Sequence, residues 1–258
     1  MVNTLIVVGL QVLTLQIAQA ALTVDRSRLV LNEGDKSVSL SIRNANTQDP
    51  YLAQGWLEDG NENKIQGPLM VLPPVQRVEA GGKTLIRIQE LPEVANLPKD
   101  RESIFYFNLR EIPPKNEQPN VLTLAIQTRM KVFWRPKALK VDPYATMVPG
   151  TETVVLEKQN NQYLVNNPTP YHLTFVEGRR SEKGRGVENF EPTMVAPKSK
   201  TLLGVSASIL GNTPALVFIN DYGSQRVLPF NCSGNLCKAQ KVVNPGNDYS
   251  QSTEMNGG

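Results

Sequence analysis

A regular alternation of apolar and polar side chains runs through residues 121–135. Even-numbered positions carry the large apolar residues: Leu122, Leu124, Ile126, Met130, Val132 and Trp134. Most odd-numbered positions carry polar ones: Thr123, Gln127, Arg129, Lys131 and Arg135. Because successive side chains of a strand point to opposite faces, the pattern predicts one amphipathic β-strand, roughly 45 Å long at about 3.3 Å per residue. A usual strand is ~17–20 Å long. The apolar stripe therefore either faces its own core throughout or is partly meant for another chain.

Shorter β-rich runs, separated by turn clusters, occupy most of the remaining chain. Those before the long stretch are residues 22–31, 36–43, 51–58, 64–72, 83–89 and 102–112. Those after it are residues 151–157, 162–166, 171–176, 190–195, 200–206, 215–220, 225–230 and 236–242. Helix signals are nearly absent, and about seven strands per ~115 residues are typical of an immunoglobulin-like sandwich. The sequence predicts an all-β fold with two immunoglobulin-like β-sandwich domains, residues 21–138 and 143–243.

Both ends of the chain are predicted to lie outside these domains. Residues 5–17 are mostly apolar but too short to span a bilayer, and Ala18-Gln19-Ala20 fits a signal-peptidase site. We therefore expect a signal peptide, residues 1–20, with cleavage after Ala20, although the first residues lack Lys and Arg. The alternative is a buried N-terminal strand of a cytosolic protein. Residues 244–258 are polar and glycine-rich and are predicted to be disordered.

Charge and cysteine content narrow the function classes. The net charge of +3 is mild. The one local basic run lies among glycines: Arg179, Arg180, Lys183 and Arg185. It predicts a solvated hairpin loop rather than a nucleic-acid site. In an exported protein Cys232 and Cys237 should form a disulfide, worth about 2 kcal/mol for so short a loop on the chain-entropy model.

No set of residues predicts catalysis or a metal site. His172 is the only histidine, and two bridged cysteines can serve neither as nucleophile nor as ligands. Gly82-Lys83-Thr84 resembles the end of a phosphate-binding loop, but Arg77 stands where that motif needs glycine, and a strand follows. The sequence therefore predicts a protein that is not an enzyme and that binds no cofactor or metal.

Five motifs resemble those of a known family. The longest is LPKDRESIFYFNLREIPP at residues 97–114. The others are PYLAQGW at 50–56, PPVQR at 73–77, NPTPY at 167–171 and INDYG at 219–223. Taken in the order of the chain, they are similar to the motifs of the PapD-like periplasmic pilus chaperones. The resemblance extends from Ala21 to about Lys241. The connection at residues 113–118 is short and lacks cysteine, which resembles the short-loop subclass associated with rod-like pili.

The resemblance implies a function and partners. Such chaperones are periplasmic and consist of two immunoglobulin-like domains in a boomerang shape with a cleft between them. They bind pilus subunits (pilins and the adhesin) whose own sandwich lacks its last strand, and they lend their G1 strand to complete it, which is called donor-strand complementation. They then deliver the subunit to an outer-membrane usher. Neither a nucleic acid nor a small-molecule substrate is implied.

The resemblance also implies residue roles, in three groups. The apolar residues of the lent strand are Leu122, Leu124 and Ile126, and Val132 and Trp134 remain in the core. The pair that holds the subunit's C-terminal carboxylate is Arg28 and Lys131, which would otherwise be interpreted as surface charges. The interdomain salt bridge is Glu102, Arg135 and Asp221.

An exposed apolar strand edge is an aggregation hazard. We therefore expect reversible self-capping, as a homodimer through the G1 strand, when no subunit is bound. The alternative function is a structural or adhesive immunoglobulin-like pilus subunit, which would carry one incomplete domain and a free N-terminal donor extension. A periplasmic hydrolase is a third class, for which the sequence contains no coherent catalytic set.

Overall fold

The structure is a computed structural model that describes residues 20–115 and 124–245. The predictions of a signal peptide and of a disordered tail fall almost wholly on residues outside these ranges, and so does Leu122. The described residues form two β-sandwiches, one before and one after a connection that contains a short 3-10 helix, Lys137–Leu139. None of the helices in the described ranges is long and apolar enough to cross a membrane.

Ten strands build the first sandwich. They are β1 (Leu22–Val24), β2 (Arg28–Asn32), β3 (Ser37–Asn44), β4 (Tyr51–Glu58), β5 (Lys64–Ile65), β6 (Leu69–Leu72), β7 (Val75–Val78), β8 (Lys83–Glu90), β9 (Ser103–Ile112) and β10 (Gln127–Arg135). One sheet has the order β1-β3-β8-β6, and the other has the order β2-β10-β9-β4-β5, with β7 also paired to β4. Alternate residues of both sheets fill the core, among them Ile42, Phe107 and Val132.

Eight strands, one short α-helix and a 3-10 helix (Thr151–Thr153, at the start of the strand predicted for residues 151–157) build the second sandwich. The strands and the α-helix are β11 (Val155–Gln159), β12 (Gln162–Asn167), β13 (Leu173–Arg179), β14 (Thr193–Val195), β15 (Ser199–Ser206), α1 (Ala207–Leu210), β16 (Ala215–Ile219), β17 (Gln225–Ser233) and β18 (Leu236–Ala239). The strand order is β14-β13-β16-β17-β18-β11-β12-β15. Strand β17 joins the two layers, because its first part pairs with β16 and its last part pairs with β18. The predicted all-β class with two immunoglobulin-like sandwiches is confirmed.

Several predicted strands differ in detail. The run at residues 22–31 is two strands in different sheets, because the chain bends at residues 25–27 and crosses from one layer to the other. The run at 64–72 is likewise divided, into β5 and β6, on either side of Gly67 and Pro68. Strand β7, helix α1 and a 3-10 helix at Pro92–Asn96 were not predicted. These are short elements, and alternation over three or four residues is too weak a signal to identify them.

The long amphipathic strand begins later than the alternation indicates. Strand β10 begins at Gln127, and residues 124–126 belong to no strand. Its neighbour β9 ends at Ile112, and among the described residues the backbone hydrogen bond from the N–H of Glu111 to the C=O of Ile126 (3.0 Å) is the last link of this ladder. On the N-terminal side of Ile126, residues 124 and 125 have no described strand beside them.

Candidate functional site

Two cations lie side by side where strands β2 and β10 begin to pair. These strands are parallel, and Arg28 and Lys131 are the first pair of their register. Arg28 is only 9% exposed, and its Nη1 donates a hydrogen bond to the C=O of Ile219 in the second domain (2.9 Å). Its Nε is buried and has no hydrogen-bond partner among the described residues. The structure therefore places the two predicted residues next to each other on adjacent strands, with Arg28 in contact with the second domain.

Burial destabilises the charged state of both cations. Burial lowers the pKa of Arg28, and the negative charges of Asp221 and Glu102 only partly offset this effect. Burial also lowers the pKa of Lys131, and repulsion from Arg28 and Arg129 lowers it further. Within the described residues, no carboxylate lies within 4.0 Å of either group. A desolvated pair of cations without a counter-ion favours binding of an anion.

Beside this pair, one edge of β10 is open. In an antiparallel ladder the backbone groups of successive residues point to opposite sides. Since the C=O of Ile126 accepts a hydrogen bond from β9, the N–H and C=O groups of Ala125, Gln127 and Arg129 point away from β9. On that side β2 pairs only from Lys131 onward. The open edge, residues 125–129, thus has no strand beside it in the described part of the chain.

The apolar stripe divides into a buried half and an exposed half. Met130, Val132 and Trp134 are buried in the core of the first sandwich. Ile126 is half-buried, and Leu124 is 59% exposed. Of the two interpretations of this stripe, packing on its own core therefore holds for residues 130–134 and fails at Leu124.

A buried ion pair also joins the two domains. Arg135, 2% exposed, donates from Nε and Nη2 to Glu102 Oε1 (2.9 and 2.7 Å) and from Nη1 to Asp221 Oδ2 (2.8 Å). Burial alone lowers the pKa of Arg135, but the hydrogen bond and charge of Asp221 and the charge of Glu102 together raise it above its usual value. The structure thus brings all three predicted residues into one contact, with Glu102 and Arg135 in the first domain and Asp221 in the second.

His172 completes this contact, and sequence reasoning missed it. Its backbone N–H and its ring Nδ1 both lie near Glu102 Oε2 (2.8 and 3.2 Å), and its ring packs against Phe133 at 5.4 Å between centroids. Phe133 is an aromatic residue on the otherwise polar parity of the β10 stripe. That break in the pattern was the available signal that this face of the strand is also covered.

One segment of the second domain, residues 219–224, contacts the first domain near these cations. Asn220 holds its shape, since its Oδ1 accepts the N–H groups of Tyr222 and Ser224 (3.1 and 2.9 Å). Gly223 has a φ of +80°, and a Cβ there would lie 2.7 Å from Ser27 Oγ of the first domain. The positive φ favours glycine, and any other residue would also have to displace the Ser27 hydroxyl. Sequence analysis matched this loop as a motif but did not predict these contacts.

The predicted disulfide lies elsewhere in the second domain. Cys232 and Cys237 form a cross-strand pair between β17 and β18 and are bonded to each other. The bond links the two strands of one hairpin and does not contribute to the cleft.

These features define a class of protein. Two β-sandwiches are joined by a buried ion pair, two partly desolvated cations lie where β2 and β10 begin to pair, and the strand edge beside them has no described strand next to it and carries the exposed Leu124. Such an edge can pair with an added strand of another chain, and the cations can hold an anionic group at its end.

Comparison with known proteins identifies the family. Residues 21–140 match the profile described as "Pili and flagellar-assembly chaperone, PapD N-terminal domain", and residues 150–230 match "Pili assembly chaperone PapD, C-terminal domain". The chain belongs to this family, and it is a fimbrial chaperone.

Individual relatives agree with this assignment. The probable fimbrial chaperone YfcS of Escherichia coli K12 is 43% identical over 224 residues, 87% of this chain and 88% of its own length. The chaperone protein PapD of Escherichia coli is 44% identical over 225 residues, 87% of this chain and 92% of its own. The crystal structure of the periplasmic chaperone SfaE has a TM-score of 0.63 at 27% identity and covers 87% of this chain and 98% of its own. A structural pilus subunit, the alternative, is not favoured.

Proposed function

We propose that this chaperone captures newly exported pilus subunits in the periplasm by lending them residues 122–126, which precede β10, as an added strand, and that it then delivers them to an outer-membrane usher. The observation that supports this most directly is the open edge, whose free backbone groups adjoin the exposed Leu124. The protein acts by binding and release and catalyses no reaction.

Strand addition would use both the free backbone groups of the open edge and the apolar side chains next to it. The backbone groups at residues 125, 127 and 129 would form a ladder with an edge strand of the subunit, and alternate side chains would enter its incomplete core. The three side chains that would enter the subunit core are Leu122, Leu124 and Ile126, of which Leu122 lies outside the described residues. Burying three such side chains is worth roughly 5–9 kcal/mol gross, before the costs of association and ordering.

In this proposal Arg28 and Lys131 bind the C-terminal carboxylate of the subunit. Both cations lie at the end of the open edge nearest the cleft, where a strand added beside residues 125–129 would meet β2. A carboxylate there would replace the missing counter-ion of two desolvated cations, with charge-assisted hydrogen bonds of about 1.5–3 kcal/mol each. It would also set the register of the added strand. Glu102, Arg135 and Asp221 act structurally, because they hold the second domain opposite these cations.

We expect Leu124→Glu to weaken subunit binding at least about tenfold while leaving the chaperone folded, because a charged residue cannot enter an apolar subunit core. Each candidate pilin is co-expressed with the chaperone, and the yield of one-to-one complex is measured after co-purification. Leu85→Glu is the matched control, since Leu85 is 55% exposed on the other sheet of the same domain. Equal yields from the two variants would contradict the proposal.

We further propose that the open edge is covered by a second copy of the chain when subunits are absent. Sedimentation velocity over a range of concentrations should then show a dimer that increases with concentration. The Leu124→Glu variant should remain monomeric, and the Leu85→Glu variant should behave as the parent protein. A parent protein that is monomeric at all concentrations argues against self-capping but leaves subunit binding untouched.

A further inference from the structure

Glu111 is a buried carboxylate without a basic side chain beside it. It lies on the core-facing side of β9, is 5% exposed, and accepts a hydrogen bond from the backbone N–H of Leu22 (2.9 Å). Every Lys, Arg and His of the chain belongs to the described ranges, and none has a nitrogen within 4.0 Å of this carboxylate. Burying a carboxylate without a counter-ion is costly, so its charge needs a partner that no side chain provides.

The start of the first strand lies next to this carboxylate. Ala21 is buried, 9% exposed, and its C=O accepts a hydrogen bond from the N–H of Ala45 (2.7 Å), which fixes its position. The nitrogen of Ala21 precedes that of Leu22 by one residue, so the two nitrogens are within about 3.6 Å of each other. Cleavage after Ala20 would convert the Ala21 nitrogen from a neutral amide into a charged ammonium with three donors.

We propose that signal-peptide removal creates the missing counter-ion, so that the α-ammonium group of Ala21 pairs with Glu111 in the mature chaperone. The cleavage step breaks the Ala20–Ala21 peptide bond by hydrolysis, which leaves a carboxylate on Ala20 and the ammonium on Ala21. The inference rests on the proposed cleavage site and is independent of how subunits bind.

The ion pair between the Ala21 ammonium and Glu111 would also stabilise the region from which the lent strand extends. The backbone N–H of Glu111 is the donor to Ile126 that ends the β9–β10 ladder, two residues from Leu124. An ion pair that fixes the end of β9 therefore fixes the point where the open edge leaves the sandwich. In the uncleaved chain this anchor would be missing, so maturation would stabilise the part of the chaperone that subunits contact.

The test is a double-mutant cycle on the exported, purified protein, whose N-terminus is first sequenced. One variant carries Gly-Ser inserted between Ala20 and Ala21, which moves the ammonium by up to about 7 Å after cleavage. The other is Glu111→Gln, which keeps an oxygen for the Leu22 N–H and removes only the charge. We expect each to lower the melting temperature by about 3–6 °C, and the double variant to lose little more than either single one. Hydrogen exchange at the Glu111 amide should be faster in both.

The control is Glu93→Gln, because Glu93 is exposed in the short 3-10 helix and has no ion pair in the described structure. It should leave the melting temperature unchanged in both the parent and the extended chain. A mature N-terminus other than Ala21 would overturn the inference at its first step. Decreases in melting temperature that simply add in the double variant would also overturn it. An extended chain as stable as the parent would do the same, since Glu111 would then need no ammonium.

Discussion

Replacing Lys131 with methionine is expected to weaken subunit binding about 10–100-fold and, at the same time, to stabilise the free chaperone by about 1–3 °C at pH 7. The binding loss follows from removing one of two cations for the subunit carboxylate. The gain in stability follows because burial and the charges of Arg28 and Arg129 lower the pKa of Lys131 in the folded state, so that its charge opposes folding. A site kept at a cost to stability is typical of a residue retained for binding.

The sign of the pH dependence makes this prediction sharper. Because folding lowers the pKa of Lys131, the folded state binds this proton more weakly than the unfolded state does. The destabilising effect is full below the lowered pKa and disappears as the pH rises from that pKa towards the unfolded value of about 10.4. The difference in melting temperature between Lys131→Met and the parent should therefore shrink as the pH approaches that value.

The control for this experiment is Lys83→Met, which removes an exposed cation at the start of β8. It should change neither subunit binding nor the melting temperature. Arg28→Ala should also leave a folded protein that does not retain subunits. If Lys131→Met retained subunits as the parent does, the assignment of the carboxylate site would be wrong. If it melted below the parent at pH 7, the electrostatic explanation would be wrong.

Strand β10 carries residues of the proposed subunit-binding site and also Arg135, which contacts the second domain. Its open edge precedes Lys131 by two residues, and Arg135 follows Lys131 by four. Because the strand is continuous from Gln127 to Arg135, the position of the edge, the cation and the interdomain contact are set by one ladder with β9. A change in the orientation of the second domain would therefore move the Ile219 carbonyl and Asp221 relative to Arg28 without moving the open edge. We therefore expect loss of the ion pair to affect the interdomain contact and to leave the open edge intact.

The parts of the fold that sequence could predict are those determined by local alternation. Met130, Val132 and Trp134 face the core as the period-two pattern requires, and β4 has the predicted bounds. The division of residues 22–31 between two sheets was beyond such reasoning, because a bend of three residues leaves the apolar pattern almost unchanged. Pairing between remote segments is not encoded in any local period.

The candidate site was likewise predictable from sequence only in part. Periodicity identified the apolar stripe but left its partner open, and only the family motifs pointed to Arg28, Lys131 and the three residues of the ion pair. His172 escaped because a single histidine was considered only as a metal ligand or a catalytic base. Its role depends on packing between domains, where Glu102 and Phe133 meet it from the other sandwich.

Replacing Arg135 with methionine is expected to lower the free energy of unfolding by about 3–5 kcal/mol, the largest stability effect proposed for this protein. The side chain is 2% exposed and binds two carboxylates, one of which, Glu102, is itself 4% exposed. Without the guanidinium group, Glu102 would be left buried with His172 as its nearest remaining donor. The measurement is urea denaturation of the purified variant at pH 7.

Two companion variants distinguish a buried ion pair from general damage. Arg77→Met removes an arginine of a similar Arg–Glu pair whose side chains are 62% and 69% exposed, and it should cost less than about 1 kcal/mol because solvent screens that pair. Arg135→Lys keeps the charge but cannot reach both carboxylates with a planar fork, so an intermediate loss is expected. Equal losses from Arg135→Met and Arg77→Met would mean that the interdomain contact contributes no more than an exposed pair, and the second domain would then need another explanation for its position opposite the cations.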